Sequence, residues 1–412
     1  CDKLNRNTSA GAPYKKSKKH FLTALDDGTT DVVISQEIED TVDEMIATYH
    51  RGERVHPVYC GCPKDEPITP AKAEAGKVRI FTMAGMAHTI VTRMYLLPLI
   101  VHMQNHRFNY ETMPGIVAQS EEWEELYRVL TKFGTDRIVA GDYAKFDKRM
   151  PASMILATFE IMENLCKRAG YTEQDLMVVR GIGYDTAFPV VDFNGELVEF
   201  YGSNPSGHAL TVIVNCLANS LYMRYAFHQL APQDPPVKYR LGQGWSFKKC
   251  VSLVTYGDDN AMGVSEACPW FNHTAIQGVL MSVTIEYTMA DKVSESVPYL
   301  SIDKVDFLKR RWRWDEDLQT HVGPLGEESL TKMLMVCVLK KNISPECHAL
   351  QVVSTAVREY FFLGRSEFER RSQILKEVVQ EAQLTAYVED STFPTWDECV
   401  AAYWARSEHV HH

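Results

Sequence analysis

Val251-Ser-Leu-Val-Thr-Tyr-Gly-Asp-Asp-Asn260 decides the reading of this chain. An apolar, β-branched run ends at Tyr256. Gly257 and the adjacent carboxylates Asp258 and Asp259 follow, and a second short apolar run covers Ala261 to Val264. Two strand-like runs about a Gly-Asp-Asp tip predict a β-hairpin. Taken alone, the tip reads equally well as a solvated turn, where Gly-Asp is at home. It also reads as two carboxylates held rigidly at a sheet end, where hard cations such as Mg²⁺ bind through oxygen. The surrounding sequence has to separate the two.

The 412 residues are 45% hydrophobic and 24% charged, a globular balance with length for a large core and two or three subdomains. No apolar run approaches the roughly 18 residues of a membrane span, and the most apolar stretch, Met94 to Met103, contains Pro98. The chain starts at Cys1 without a signal-peptide pattern and ends His-Val-His-His; the expectation is a fragment or a piece cut from a longer precursor. Of ten cysteines only Cys60-Gly-Cys62 is close-set, with no second pair at zinc spacing, so reduced thiols in a cytosolic compartment are expected. A net charge of −11 argues against an indiscriminate nucleic-acid coat but is compatible with a basic channel inside an acidic shell.

Outward from the hairpin, several stretches carry chemistry. Thr8-Ser-Ala-Gly-Ala-Pro-Tyr14 is a loop of small residues followed by Lys15, Lys16, Lys18 and Lys19. It is either a solvated basic loop or a close-approach site for phosphates. Ile38 to Arg51 has helical spacing. Lys64-Asp-Glu66 precedes Gly76-Lys-Val-Arg-Ile-Phe81, whose alternation predicts a strand with Lys77 and Arg79 on one face and Val78 and Ile80 on the other. Such cations suit a triphosphate or an exposed edge. Ala87 to Met103 reads as a helix interrupted at Pro98, and Glu121 to Thr131 as another.

Asp136 to Asp142 reads as a buried strand ending on a carboxylate, with Asp147 five residues on and a helix opened by Pro151. Gly181 to Tyr201 reads as strand, Asn194-Gly195 turn and strand. Ser203-Asn-Pro-Ser-Gly207 leads into a helix from about His208 to Phe227. On that helix His208, Thr211, Asn215 and Asn219 form a polar stripe without Lys or Glu, which points to a cleft with a polar ligand rather than to open solvent. Thr274 to Met281 reads as a helix, and Thr288-Met-Ala-Asp-Lys292 as a loop. Val305 to Trp314 interleaves four cations with aromatics, either a nucleic-acid surface or a twisted hairpin. From Ser329 onward the pattern is helical: Thr331 to Leu339, Cys347 to Leu363, Glu367 to Ala386 and a last helix from Asp397.

In this order the stretches resemble the RNA-dependent RNA polymerases of picornavirus-like positive-strand RNA viruses, over Thr8 to Arg310. Thr8 to Tyr14 looks like the family's template loop, and Lys64-Asp-Glu66 with Lys77 and Arg79 like its triphosphate-binding finger motif. Asp142-x4-Asp147 is similar to its first palm motif, and Ser206-Gly207 with Thr211 and Asn215 to the next. Tyr256-Gly-Asp-Asp259 matches its hairpin, Asp291-Lys292 the following palm motif, and Phe307-Leu-Lys-Arg310 the primer-grip strand.

The resemblance implies an α+β right-hand fold: fingers over 1–135, palm over 136–163, fingers over 164–203, palm over 204–318 and an all-α thumb over 319–412. It implies an N-terminally incomplete chain, because fingers residues precede the template loop in the family. Asp142 and Asp258 would be the main ligands of two Mg²⁺ ions, with Mn²⁺ as a substitute and Asp259 supporting. Lys292 would be the general acid for pyrophosphate. Lys64, Lys77 and Arg79 would bind the triphosphate, and Gly207 would belong to the same nucleotide site. Asp147, Ser206, Thr211 and Asn215 would sense the ribose 2′-hydroxyl. Thr8, Ser9, Gly11 and Tyr14 would hold the template, and Phe307, Leu308, Lys309 and Arg310 the primer. Implied partners are RNA template and primer, ribonucleoside triphosphates and viral replication proteins, in the host cytoplasm. A reverse-transcriptase-like palm and a catalytically silent RNA-binding module are the rival readings; Asn215 and Asp147 argue against the first, and the retained aspartates against the second. Phe146, His208 and Asn260 depart from commoner family residues, and Asn260 has no role readable from sequence.

Overall fold

Four antiparallel strands organise the molecule. They run in the order Val251–Tyr256, Asp259–Val264, Ile138–Tyr143, Tyr287–Met289. This computed structural model describes residues 4–25, 31–337 and 343–408. Every residue of Ile138–Tyr143 is buried, because helices cover one face of the sheet and a second apolar cluster covers the other. The helices Ala152–Arg168, Thr211–Leu230 and His273–Ser282 pack together and against the sheet. Val139, Leu253 and Met262 enter the largest core with them. Alternate residues Ile138, Ala140, Val254 and Ala261 face a different core with Trp123, Leu126 and Phe307. The period-two alternation therefore serves two apolar layers.

A second four-stranded sheet, ordered Ile80–Met83, Val58–Pro63, Val190–Phe193, Glu196–Glu199, lies beside it and includes one parallel pair. Its Asn194-Gly195 turn has φ of 57° and 101°, the left-handed pair that a two-residue type I′ hairpin demands. The C-terminal helices Glu327–Met335, Pro345–Tyr360, Arg365–Glu381 and Trp396–Glu408 bury a separate core that includes Leu330, Val357, Phe361 and Tyr403. The α+β expectation holds, with the helical run beginning after a strand, Thr320–Val322, paired to Arg313–Asp315.

Three expected elements differ. Residues 181–187 belong to the helix Glu173–Ala187, and the strand begins only at Val190. Lys77, Val78 and Arg79 precede the strand Ile80–Met83, and Val78 and Ile80 are exposed rather than buried. Pro98 does not interrupt its helix, which runs unbroken over Met86–Asn105. The carbonyl that loses its partner to Pro98 belongs to Met94, on the exposed side of the helix. Part of the expected Thr331 to Leu339 helix, the start at Cys1 and the terminal histidines lie outside the described residues.

Candidate active site

The hairpin register pairs Tyr256 with Asp259, leaving Gly257 and Asp258 as a two-residue turn. Gly257 has φ +66° and Asp258 does not share the positive value, the pattern of a type II′ turn that places Gly first. Asn260 pairs with Gly141, so one step toward the tip brings Asp259 alongside Asp142. Asp142 in turn pairs with Thr288 on the neighbouring strand. The loop beyond that strand is closed by Lys292 N donating to the Met289 carbonyl at 2.8 Å. The amides of Val293 and Ser294 donate to Asp291 at 3.1 and 3.0 Å. The Lys292 ammonium then reaches Asp142 Oδ2 at 2.5 Å. Three carboxylates and one lysine, drawn from three strands, meet at one end of the sheet.

Their electrostatics follow from that crowding. Partial desolvation pushes the Asp259 carboxyl up to about 6, and repulsion from Asp258 and Asp142 adds to it. Asp258 is raised by the same two causes in the same order, desolvation and then Asp142, with Lys292 and Arg79 opposing. The hydrogen bond to Asp142 raises the Lys292 pKa, holding its ammonium protonated. Among the described residues no group of three His, Cys, Asp or Glu converges closely enough to enclose a metal ion; Lys292 is the cation beside Asp142.

Next to the carboxylates lies a polar network. Asn215 Nδ2 donates to Asp147 Oδ1 at 2.6 Å, and Asn204 Nδ2 donates to Asn215 Oδ1 at 2.8 Å and to the Thr211 carbonyl at 3.2 Å. The Thr211 hydroxyl donates to the Pro205 carbonyl at 2.5 Å. Burial raises the Asp147 pKa against the Asn215 hydrogen bond. Ser206 stands apart from this network. Its hydroxyl accepts from Thr82 N at 3.2 Å, and its amide donates to Thr82 Oγ1 at 2.9 Å. Gly207 continues that junction: a Cβ there would lie 2.3 Å from the Thr82 carbonyl oxygen. The loop is thus stitched to the Ile80–Met83 strand, whose approach carries Arg79 toward the carboxylates. Arg79 acts on both Asp147 and Asp258, drawing each pKa down against the larger desolvation. Glu66 lies 3.4 Å from Arg79 and 3.5 Å from Lys64, and Lys77 is exposed beside them.

Comparison with known proteins decides the family. The family model described as viral RNA-dependent RNA polymerase matches residues 1–378. This chain belongs to that family. It is 28% identical over 380 residues to the replicase polyprotein of Cricket paralysis virus, covering 89% of the chain and 21% of that polyprotein. It is 29% identical over 406 residues to the replicase polyprotein of Drosophila C virus, covering 93% of the chain and 23% of that polyprotein. The chain therefore spans under a quarter of those relatives. Among solved structures, a Sicinivirus 3Dpol RNA-dependent RNA polymerase superposes with a TM-score of 0.77 at 19% identity, covering 98% of this chain and 77% of that one. That likeness shows the fold, the fingers, palm and thumb of a polymerase hand.

Within the polymerase fold the remaining expected residues divide. Thr8 is exposed and Ser9 partly so; Gly11 is buried at φ +75°, its amide donating to Ser9 Oγ at 3.1 Å. Tyr14 is tied to Thr41 by a 3.1 Å hydroxyl contact. At the other expected RNA site, Phe307 and Arg310 hydrogen-bond to each other's backbone around Leu308 and Lys309, both at positive φ. Lys309 is exposed and Leu308 half-buried at this turn. Phe307 is buried against Trp123. Arg310 is buried and bonded twice to Glu359 at 2.8 Å. Their side chains support the turn, and Lys309 presents its charge. Sequence reasoning missed Asn204, read there as a turn residue, and the partner roles of Asn260 and Glu359.

Proposed function

We propose that the chain synthesises RNA on an RNA template, transferring a nucleotidyl group from a ribonucleoside triphosphate to an RNA 3′-hydroxyl during replication of a positive-strand RNA virus genome. The observation that carries this reading is the meeting of Asp142, Asp258, Asp259 and Lys292 at one sheet end, with the Asp147–Asn215 pair beside them. Its partners are RNA template and primer, ribonucleoside triphosphates and viral replication proteins in the host cytoplasm. No helix among the described residues is long and apolar enough to cross a membrane.

The donor set fits hard divalent cations: three oxygen-bearing side chains, two of them with pKa values raised by partial desolvation and further by mutual repulsion, a penalty on negative charge that bound positive charge relieves. Asp142, Asp258 and Asp259 would hold two Mg²⁺ ions, or Mn²⁺ in their place. When bound, the metals would supply Lewis-acid stabilisation at the attacking and leaving oxygens. Lys64, Lys77 and Arg79 would neutralise the triphosphate and orient it toward the carboxylates. The Lys292 ammonium, which neutralises Asp142 here, would face the bound triphosphate and give its proton to the departing pyrophosphate. Asp147 and Asn215 would pair with the ribose 2′-hydroxyl, so that a deoxynucleotide leaves buried polar groups without partners.

Primer extension on an RNA template with Mg²⁺ tests the reading. The parent chain is expected to incorporate ribonucleotides over deoxynucleotides, and Asp258→Ala to lose extension while still binding RNA. Equal extension by Asp258→Ala and the parent would refute the carboxylate assignment, and a preference for deoxynucleotides would favour the reverse-transcriptase-like alternative.

A further inference from the structure

Asn219 and Asn260 take no part in the chemistry above, yet both are buried behind the hairpin tip, at 0% and 2% relative exposure. Their hydrogen bonds form one connected chain. The Tyr287 hydroxyl donates to Asn260 Oδ1 at 2.8 Å, and Asn260 Nδ2 donates to Asn219 Oδ1 at 3.3 Å. The Tyr143 hydroxyl donates to the same Asn219 oxygen at 3.0 Å. Asn219 Nδ2 turns the other way. It donates to the Asp258 carbonyl at 2.9 Å and the Gly257 carbonyl at 3.2 Å, with the Asp259 carbonyl at 3.4 Å. An amide offers two acceptor sites and two hydrogens, so Asn219 is fully used.

Each end of the chain holds a different carrier of the site. Tyr143 follows Asp142 on its strand. The three carbonyls belong to the turn that carries Asp258 and Asp259. Tyr287 lies on the strand that leads to Lys292, and its ring packs where a Cβ on Gly141 would stand 2.2 Å from Cζ. The three carboxylates repel one another, so their spacing has to be imposed from behind. Neutral amides and phenols do this without adding charge; an acid at position 219 or 260 would add a further negative group behind the cluster. A buried and satisfied network of this kind also gains strength from its low-dielectric surroundings.

We propose that the Tyr287–Asn260–Asn219–Tyr143 chain is a positioning device that sets the spacing of Asp142 from Asp258 and Asp259, and thereby the affinity of the carboxylates for divalent cations. This rests on the two-metal reading of the same site. It gives Asn260 a function: it is the only link between the Tyr287 hydroxyl and Asn219 in the chain of hydrogen bonds just described.

The test compares the whole chain with Asn260→Leu, which keeps the branched shape and the number of side-chain heavy atoms and removes both hydrogen bonds, and with Tyr287→Phe, which removes one hydroxyl. Mn²⁺ binding is titrated by electron paramagnetic resonance without RNA or nucleotide. Supporting groups around metal ligands typically change affinity about 10- to 100-fold when removed, so Asn260→Leu is expected to weaken Mn²⁺ binding at least about tenfold, and Tyr287→Phe by less. In primer extension, half-saturating Mg²⁺ should rise in step while the Kd for primer–template RNA stays at the parent value, which a general loss of structure would not leave intact. Should Asn260→Leu fail to fold, Tyr287→Phe carries the comparison alone. Parent-like Mn²⁺ affinity in the folded variants overturns this inference and leaves the two-metal reading standing. Absence of Mn²⁺ binding by the parent, or parent-like Mn²⁺ binding by Asp142→Asn, overturns both.

Discussion

At the residue scale, the site is made of groups whose neighbours set their protonation. Asp259 ionises near 3.9 in an unfolded chain, and burial with the neighbouring carboxylates pushes it up to about 6 in the folded one. Between those values the folded state holds the extra proton, so the stability contributed by this group falls as pH rises from about 4 to 6 and stays low above. Metal-free protein should therefore lose Tm across that window. Asp259→Asn should flatten the loss in part, since Asp258 and Asp147 are raised as well; thermal melts in EDTA from pH 4 to 7 measure it, and an unchanged slope would contradict the assignment. Asn215 sets a second residue-level expectation. Its bond to the Asp147 carboxylate is charge-assisted, and such bonds contribute roughly 1.5–3 kcal/mol. Asn215→Ala should lower the ratio of kcat/KM for ribo- over 2′-deoxynucleotides by about tenfold or more. These carboxylates and Asn215 were legible in sequence because strand ends and helical spacing fix where they lie. Ser206 was not: its hydroxyl goes to Thr82, a residue 124 positions away that no local pattern connects to it.

Legibility at the element scale depended on whether packing agreed with local signals. The 251–264 hairpin and the Asn194-Gly195 turn have both, and stand where the periodicity puts them. The helix Glu173–Ala187 was misread because Gly181 looks like a strand or loop residue. The glycine is instead required by packing, since a Cβ there would lie 2.1 Å from the Tyr49 ring. The Phe307–Arg310 turn shows the same limit. Its Arg310 pairs with Glu359 from the helix Pro345–Tyr360 and also donates to the Gly323 carbonyl at 2.7 Å. This clamp between the turn and the C-terminal helices joins residues 49 positions apart. Removing one partner strands a buried charge, so Glu359→Ala should destabilise the chain by about 3–5 kcal/mol. Replacing both, as Arg310→Met with Glu359→Leu, should restore most of that loss. Urea unfolding of the single and double variants reads the difference; a double variant as unstable as the single one would show that the ion pair is not the source.

For the whole molecule, the question is how a chain of net charge −11 holds a polyanion. Many of its cations are already matched internally: Arg310 with Glu359, Arg224 with Glu111, Arg54 with Asp185. A matched cation has little counterion to displace from RNA, so the sum of charges says little about binding. What matters is the small set that stays exposed and, among the described residues, unmatched outside the triphosphate site, Lys309 beside the carboxylate end of the sheet and Lys16 and Lys19 after the template loop. Each phosphate contact on a single strand contributes about −0.7 to the slope of log K against log salt. Three such contacts give a slope of about −2, far shallower than a basic nucleic-acid coat would show. Binding of a primer–template RNA, followed by fluorescence anisotropy over a KCl series, should give that value. Lys309→Ala should reduce its magnitude by about 0.7 while leaving Tm unchanged, because its ammonium is exposed on the turn and the clamp beneath it is made by Arg310. A slope near zero would remove the channel reading, and an unchanged slope in Lys309→Ala would move the RNA away from this turn.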